Sequence, residues 1–395
     1  MDWFTAALQG HDTPARMATL WPHAADLAAC TQDPVFHAEG DAWTHTCRVR
    51  AALDTDPVAR GIMANLPPHT QTALRLAAWY HDVAKPATRV EEWDAELGRV
   101  RIAHPGHAGR GAAVAWRDLV DAGAPVELAR HVWALVAWHH RAHHLLDADG
   151  DLRTLRFLAD APGLGWDALF ALATADLVGR DAPDQADLLD RLALCRMAAE
   201  DTGRMVDWDV GTGEAAFANA EARIRFCRAP QLGMERTAFP LPAKGAVVVA
   251  SGLPGSGKTT AIRRLYPEVP VVSLDALRAE LDTDPEGNQG PVLAAAFEAA
   301  RVHLRAGTGF VWDATALAPR TRAKIVGLAR DYGAPIVGVS MDVPQGVARA
   351  RNAARTNPVP DAVVAKLAGL RAPIGPDEAH HLWSVDAAGR ATQIW

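Results

Sequence analysis

The stretch Ser251-Gly252-Leu253-Pro254-Gly255-Ser256-Gly257-Lys258-Thr259-Thr260 meets the P-loop pattern G-x-x-x-x-G-K-[ST] at every fixed position. Glycines 252, 255 and 257 let backbone N–H groups turn inward around a polyphosphate, with Ser256 and Thr260 lining the turn. The helix that follows presents its positive end to the same anion. Lys258 reaches the β- and γ-phosphates, and the Thr259 hydroxyl ligates Mg²⁺. Asp275 closes the apolar run Val271-Val272-Ser273-Leu274-Asp275, and Arg278 follows at the start of a helix. Strand carboxyl ends face the ligand crevice of an α/β sheet, so Asp275 belongs across from the P-loop, where it can accept the proton of an attacking hydroxyl. Two other roles stay open for it, a helix N-cap and a Mg²⁺-organising acid. Asp313 ends Phe310-Val311-Trp312-Asp313 and is placed to organise the metal or the P-loop hydroxyl. Arg351 and Arg355 read as one turn apart on a helix, so that two guanidinium groups on one face can clamp phosphates. A solvated arginine-rich face is the plain alternative.

A second set of residues fits metal chemistry. His81-Asp82 and Lys85-Pro86 stand at the end of an apolar helical run, with His45, His107, His139, His140 and Asp176 on either side. Imidazoles mixed with carboxylates suit Mn, Fe, Co, Ni or Zn. A hydrolytic role would use two such ions to generate hydroxide and hold phosphate oxygens. Lys85 lies one turn beyond His81 and Asp82, and Arg180 one turn beyond Asp176, so each pair can point into one cleft. The histidines at 11, 23, 37, 69, 104, 131, 143 and 144 read as ordinary surface or core residues.

The elements that must position these groups fall into two halves. A chain of 395 residues is long enough for two domains, each with its own core. The first two hundred or so residues carry helical periodicity without recognisable strands, clearest in Leu74–Tyr80, Ala129–Val136 and Leu188–Leu194. A junction is read between Val210 and Lys244, at Gly211-Thr212-Gly213 and Phe239-Pro240-Leu241-Pro242. Beyond it, apolar strands at 246–250, 269–274, 309–312 and 335–341 alternate with helices, which implies a parallel sheet with right-handed crossovers. The expectation is an all-α domain over 1–235 followed by an α/β P-loop kinase domain over 236–395. Ten of the thirteen tryptophans precede residue 210 and read as core packing rather than base stacking.

Composition narrows the function. A formal charge of −7 argues against a broad basic nucleic-acid face, so any polynucleotide site must be local. Four cysteines without C-x-x-C spacing point to neither a disulfide framework nor a zinc ribbon, and a reducing cytoplasm is the simplest compartment. No basic n-region opens the chain and no run of eighteen apolar residues occurs, so neither export nor a membrane is expected.

Two resemblances sharpen this. The order His45 … His81-Asp82-x-x-Lys85 … His107 … His139 … Asp176, over roughly residues 40–190, resembles the HD phosphohydrolase superfamily. It implies metal ligation by His45, His81, Asp82 and Asp176, with His107 and His139 completing a two-metal site and Lys85 and Arg180 steadying phosphate. His140 competes with His139, and the spacing Leu135-Val136-x-x-His139 favours the latter. The series Gly252-x4-Gly257-Lys258-Thr259, Asp275-x-x-Arg278, Asp313-x-Thr315 and Arg351-Asn352-x-x-Arg355, over about 244–395, is similar to the polynucleotide 5′-hydroxyl kinase family. That likeness implies Asp275 as general base, Arg278 on the phosphate 3′ to the acceptor nucleotide, and lid arginines at 351 and 355. Ala316 departs from it where an asparagine usually follows Asp-x-Thr.

An N-terminal HD module joined to such a kinase resembles the bacterial HD-Pnk end-healing enzymes. The expected substrates are ATP or another NTP, with Mg²⁺ or Mn²⁺, and RNA or DNA strand ends. The expected HD cofactors are two divalent transition metals, and the expected partner is a separate polynucleotide ligase. The competing expectations are a small-molecule or nucleoside kinase fused to an HD nucleotidase, and a nucleotide-sensing regulator with a silent HD domain.

Overall fold

A computed structural model describes residues 1–201, 217–231, 233–284 and 287–395. The chain divides into two compact units, Met1–Ala215 and Ala216–Trp395. Residues 216–235, read from the sequence with the first domain, therefore fall in the second. Side-chain anchors explain this: Arg223, on the helix Ala220–Arg228, donates to the carbonyls of Ala379 (3.2 Å) and His380 (2.8 Å) and lies over the Trp395 ring at 5.1 Å. Gly211-Thr212-Gly213 and Trp208 lie outside the described residues.

The first unit is built of helices around one apolar core. Asp41 caps Ala42–Thr55 by accepting from the Thr44 N–H at 2.8 Å, and Asp56 with Pro57 starts Pro57–Ala64. Trp166–Gly179 is apolar on nearly every face and is buried along its length, as a central helix must be. Gly179 lets it approach Ala42–Thr55, since a Cβ there would sit 2.8 Å from Val49 Cγ2 and 3.0 Å from the Val49 nitrogen. That approach brings Asp176 towards His45. Trp79 and Trp166 are fully buried and Trp43 stacks on Trp79, so tryptophan packs the core as expected, with the exposed Trp93 the exception.

The expectation of no strands in this half is corrected by an antiparallel hairpin, β1 (Val90–Asp94) and β2 (Arg99–Ala103), with Trp93 opposite Val100. The ribbon is charged and exposed, so its sequence lacks the clean alternation of a half-buried strand.

In the second unit, β3 (Val247–Ser251), β4 (Val271–Ser273), β5 (Phe310–Asp313) and β6 (Ile336–Met341) fall within or one residue beyond the four predicted runs. Two further strands, β7 (His381–Val385) and β8 (Ala391–Gln393), complete the sheet. The order is β4-β5-β3-β6-β7-β8, parallel throughout except for the antiparallel β7–β8 pair. β3 is buried at every residue, and helices Lys258–Leu265, Gly290–Ala306 and Pro319–Asp331 fill the connections. Among the described residues no helix is long and apolar enough to cross a membrane.

Candidate functional site

The helical unit gathers its chemistry where several helices end. His81 caps Pro68–Tyr80, His139 caps Val126–Trp138, and His107 opens His107–Asp121. Each turns its Nδ1 to the carbonyl three residues back: His81 to Ala78 at 2.8 Å, His107 to His104 at 2.7 Å, and His139 to Val136 at 2.7 Å. A backbone carbonyl can only accept, so Nδ1 carries the proton in all three and the Nε2 lone pair is left for another partner. For His81 and His139 that Nε2 is buried without a hydrogen bond, as is Asp82 Oδ1, while Asp82 Oδ2 meets the Lys85 ammonium at 2.6 Å. Buried orphaned acceptors are costly unless something cationic meets them.

Three overlapping groups of potential ligands result, one of them His37, Glu39 and His45 behind the other two. His45, His81 and Asp176 form one of those two: His45 Nε2 stands 2.9 Å from Asp176 Oδ1, and His81 Nε2 stands 3.8 Å from the same oxygen. Asp82, His107, His139 and His140 form the other. Asp82 belongs to both, with Oδ2 3.2 Å from His81 Nε2 and 3.6 Å from His45 Nε2, and Oδ1 3.3 Å from His107 Nε2. The structure thus brings together the six ligands expected from the sequence in the helical half, His45, His81, Asp82, His107, His139 and Asp176. It also admits His140, whose Nε2 lies 2.8 Å from His107 Nε2, so the doublet need not be resolved into one member. Burial would raise the Asp82 pKa, but His81 and Lys85 hold this carboxyl well below the usual range, and burial drives His139 down to about 3. Carboxylates stay charged and His139 stays neutral at neutral pH, the states that a metal requires.

Around these ligands stand residues the sequence reading did not single out. Glu39, whose side chain is fully buried, places Oε1 2.8 Å from His37 Nδ1 and 3.0 Å from His45 Nδ1, while Oε2 accepts the Asp181 N–H at 2.9 Å. The His45 contact lies at ion-pair distance but off a regular hydrogen-bond angle. Burial alone would lower the His45 pKa; Asp176 and Glu39 outweigh it and push His45 up to about 9. Lys85 is itself buried, 2.6 Å from Asp82 Oδ2 and 2.5 Å from Gln32 Oε1. Arg180 bonds Asp184 at 3.0 Å, and its buried Nε has no partner.

In the α/β unit the register places Asp313 between Ala250 of β3 and Ser273 of β4, at the carboxyl ends of the strands. The P-loop leaves β3 there, its Gly252 N–H bonded to the Thr315 carbonyl at 3.1 Å. Gly255 (φ +79) and Gly257 (φ +93) take left-handed turns, and a Cβ on Gly255 would lie 2.2 Å from the Ala348 carbonyl. Lys258 folds back on the Gly252 and Leu253 carbonyls at 2.8 and 3.2 Å, and burial lowers its pKa against the pull of Asp313 and Asp275. Burial raises the Asp313 pKa, with Lys258 opposing. Thr259 and Thr260 are exposed in the first turn of Lys258–Leu265, while the Ser256 hydroxyl is buried without a partner.

Two expectations here change. β4 ends at Ser273, which caps the helix Leu274–Glu280, so Asp275 lies in that helix's first turn and is not its N-cap. Asp275 is 84% exposed and pairs with Arg278 at 2.5 Å, and Arg278 Nε also donates to Gln289 at 3.0 Å. Arg351 and Arg355 do not share a helix face, because Gln345–Ala353 ends before Arg355. The buried Asn352 side chain bonds both the N–H and the carbonyl of Val359, folding the Pro-rich continuation back and stopping the helix. Arg351 bonds the Ala387 carbonyl at 2.7 Å and borders a cavity of about 320 Å³ beside Ser256 and Thr260. Ala316 adopts φ +41, the left-handed region in which asparagine is tolerated and alanine is strained. Its carbonyl accepts from Ser251 Oγ at 3.0 Å and from the buried Arg322 at 3.1 Å, contacts that hold it there.

A family model described as an AAA domain matches residues 247–374, from the first residue of β3 through Ile374. Residues 247–374 are a P-loop, kinase-like nucleotide-binding domain, and nucleotide with Mg²⁺ is what such a domain binds. A search of the curated proteins found no match.

Proposed function

We propose that the chain heals nucleic-acid ends. The P-loop unit transfers the γ-phosphate of ATP, or of another NTP, to a 5′-OH end. The helical unit, read as an HD phosphohydrolase over residues 1–215, removes a 2′,3′-cyclic phosphate or 3′-phosphate. The products, a 5′-phosphate and a 3′-OH, suit a separate polynucleotide ligase. The observation that carries the reading is Asp82, whose two oxygens face different histidine sets in the same chain as a P-loop. A bridging carboxylate between two donor sets is how a protein spaces a pair of ions.

The donors fit divalent Mn, Fe, Co, Ni or Zn: His81 and His139 direct an unbonded Nε2 inward, and Asp82 is an ionised, buried carboxylate beside them. His45, His81, Asp82 and Asp176 would hold one ion, and Asp82, His107, His139 and His140 the other. Such ions would polarise the phosphoryl oxygens and lower the pKa of a water so that its hydroxide could attack. Lys85 fixes the Asp82 carboxylate between the two sets, and Arg180 stands ready for a phosphate oxygen. In the kinase, Asp275 takes the proton of the acceptor hydroxyl, Lys258, Arg351 and Arg355 hold the transferring phosphate, and Asp313 orients Thr259 and its Mg²⁺.

The test is a strand pair bearing 5′-OH and 2′,3′-cyclic phosphate ends, incubated with ATP and Mn²⁺ or Mg²⁺ and analysed at both ends. Conversion of neither end would overturn the reading. One observation favours a nucleoside kinase fused to an HD nucleotidase instead: Arg278 is already engaged by Asp275 and Gln289. Phosphorylation of mononucleosides as readily as of oligonucleotides would select that second reading.

A further inference from the structure

The α/β unit holds a second cavity, of about 510 Å³, within the size range of small-molecule sites. It lies at the opposite end of the sheet from the P-loop. Ile336, which borders it, opens β6 and pairs with Val247 at the start of β3, whereas the P-loop departs after Ser251, about 13 Å of strand away.

Its charged lining is Glu221, Arg225, Arg228, Arg330 and His380. Glu221 is fully committed: Oε1 accepts from Arg225 Nε at 2.6 Å, and Oε2 faces His380 Nε2 at 2.9 Å. His380 Nδ1 accepts the Ile336 N–H at 3.0 Å, so Nε2 carries the proton given to Glu221, and burial lowers the pKa of this imidazole. Three guanidinium groups against one carboxylate leave two positive charges on the cavity wall of a chain whose formal charge is −7.

Two of the three guanidinium groups are incompletely paired. Arg228 spends Nε on the Asp377 carbonyl at 2.9 Å, but its Nη2 is buried without a hydrogen-bond partner. Arg330 has Asp331 at 4.0 Å, at the limit of contact. Burial and the nearby Arg330 depress the Arg228 pKa against the pull of Asp377 and Glu221. Beside them the wall is apolar, with Met234, Pro240 and Ile336. A dianion with two or three acceptor oxygens matches two guanidinium groups, and an apolar body matches the rest of the wall.

We infer that this cavity binds a phosphate monoester carried on an apolar or aromatic body, at a site separate from phosphoryl transfer. Neither the kinase acceptor nor the metal cluster enters the argument, so the inference stands apart from the end-healing reading.

The test is calorimetric titration of phenyl phosphate into the full chain carrying Lys258→Ala, in EDTA, which weakens the P-loop and strips the metal cluster as competing phosphate sites. One saturable site is expected, with phenol silent and inorganic phosphate weaker than phenyl phosphate. Arg228→Ala and Arg330→Ala should each weaken binding by roughly tenfold or more. Arg330 is 58% exposed, so its removal tests the charge without threatening the fold. No saturable heat, an unchanged affinity in Arg330→Ala, or inorganic phosphate binding as well as phenyl phosphate would overturn the inference.

Discussion

Glu39→Ala isolates the carboxylate behind the first ligand set. Glu39 is the acceptor facing His45 Nδ1 at 3.0 Å, and its side chain has no exposed surface through which water could replace it. Its loss frees the His45 ring to turn and removes the negative charge that faces Nδ1 while Nε2 points at Asp176. Outer partners of ligating histidines typically govern ten- to hundredfold in metal affinity, or about 1.4–2.7 kcal/mol. The effect should fall on the ion held by His45, His81 and Asp176, leaving the set of His107, His139 and His140 close to its original affinity. Glu39→Gln distinguishes orientation from packing. The amide fills the same space and can still accept from the Asp181 N–H, but its NH₂ group towards His45 favours the tautomer with the proton on Nε2, the wrong one for ligation. Calorimetry of Mn²⁺ or Co²⁺ binding to the metal-stripped chain should show two classes of site in the native protein and one weakened class in both variants. Thermal unfolding of the glutamine variant should stay near that of the native chain. Two sites of unchanged affinity in Glu39→Ala would refute the reasoning.

Lys258→Ala should abolish 5′ phosphorylation and spare 3′-end hydrolysis, and Asp82→Ala should do the reverse; a folded variant that lost both activities would contradict two separate sites. Arg278→Ala should lower kcat/KM for 3′-phosphorylated acceptors by about ten- to hundredfold, since a charge-assisted contact contributes roughly 1.5–3 kcal/mol, and an equal loss on acceptors without that phosphate would remove the assigned role. Ala316→Gly relieves a left-handed alanine costing about 1–2 kcal/mol and adds about 0.5–1 kcal/mol of unfolded-state entropy, so urea unfolding should show a net gain, and a loss would mean that the φ of +41 carries no strain. Asp33 is held well below its ordinary value of 3.8 by Arg99, so its contribution is full above that value and fades as pH falls beneath it; Asp33→Asn should therefore shrink the stability difference between neutral and acid solution, measured by denaturant unfolding.

What the sequence made legible follows from how local each signal is. The P-loop needs only a strand, a turn and a helix in succession, and β3, Gly255, Gly257 and Lys258–Leu265 supply them in one stretch. Asp313 was equally legible, because strand ends in a parallel sheet share an edge. The histidines and aspartates named by resemblance do converge in space, but Glu39 was invisible: one glutamate near a histidine carries no signal until the loop and Asp181 close over it. The helix through Arg355 failed for a tertiary reason, since the pairing of Asn352 with Val359 ends it. The β1–β2 ribbon was missed because its cross-strand pairs, such as Glu92 opposite Arg101, are charged, and pairing rather than burial makes the strands.

The two candidate sites use the unpaired ends of helices in opposite senses. At the P-loop the N-terminus of Lys258–Leu265 offers N–H groups and a positive dipole end to an anion. In the helical unit the C-termini of Pro68–Tyr80 and Val126–Trp138 place His81 and His139, and Asp176 lies in the last turn of Trp166–Gly179. Spare carbonyls there fix Nδ1–H of the histidines, and the negative dipole ends favour positive charge nearby. One helix start suffices for the first arrangement, so a short motif can encode it. The second needs three helix ends brought to one point, with Gly179 admitting the closest approach. No contiguous pattern can encode that convergence, which is why these histidines looked ordinary singly and acquire their chemistry only where the helices meet.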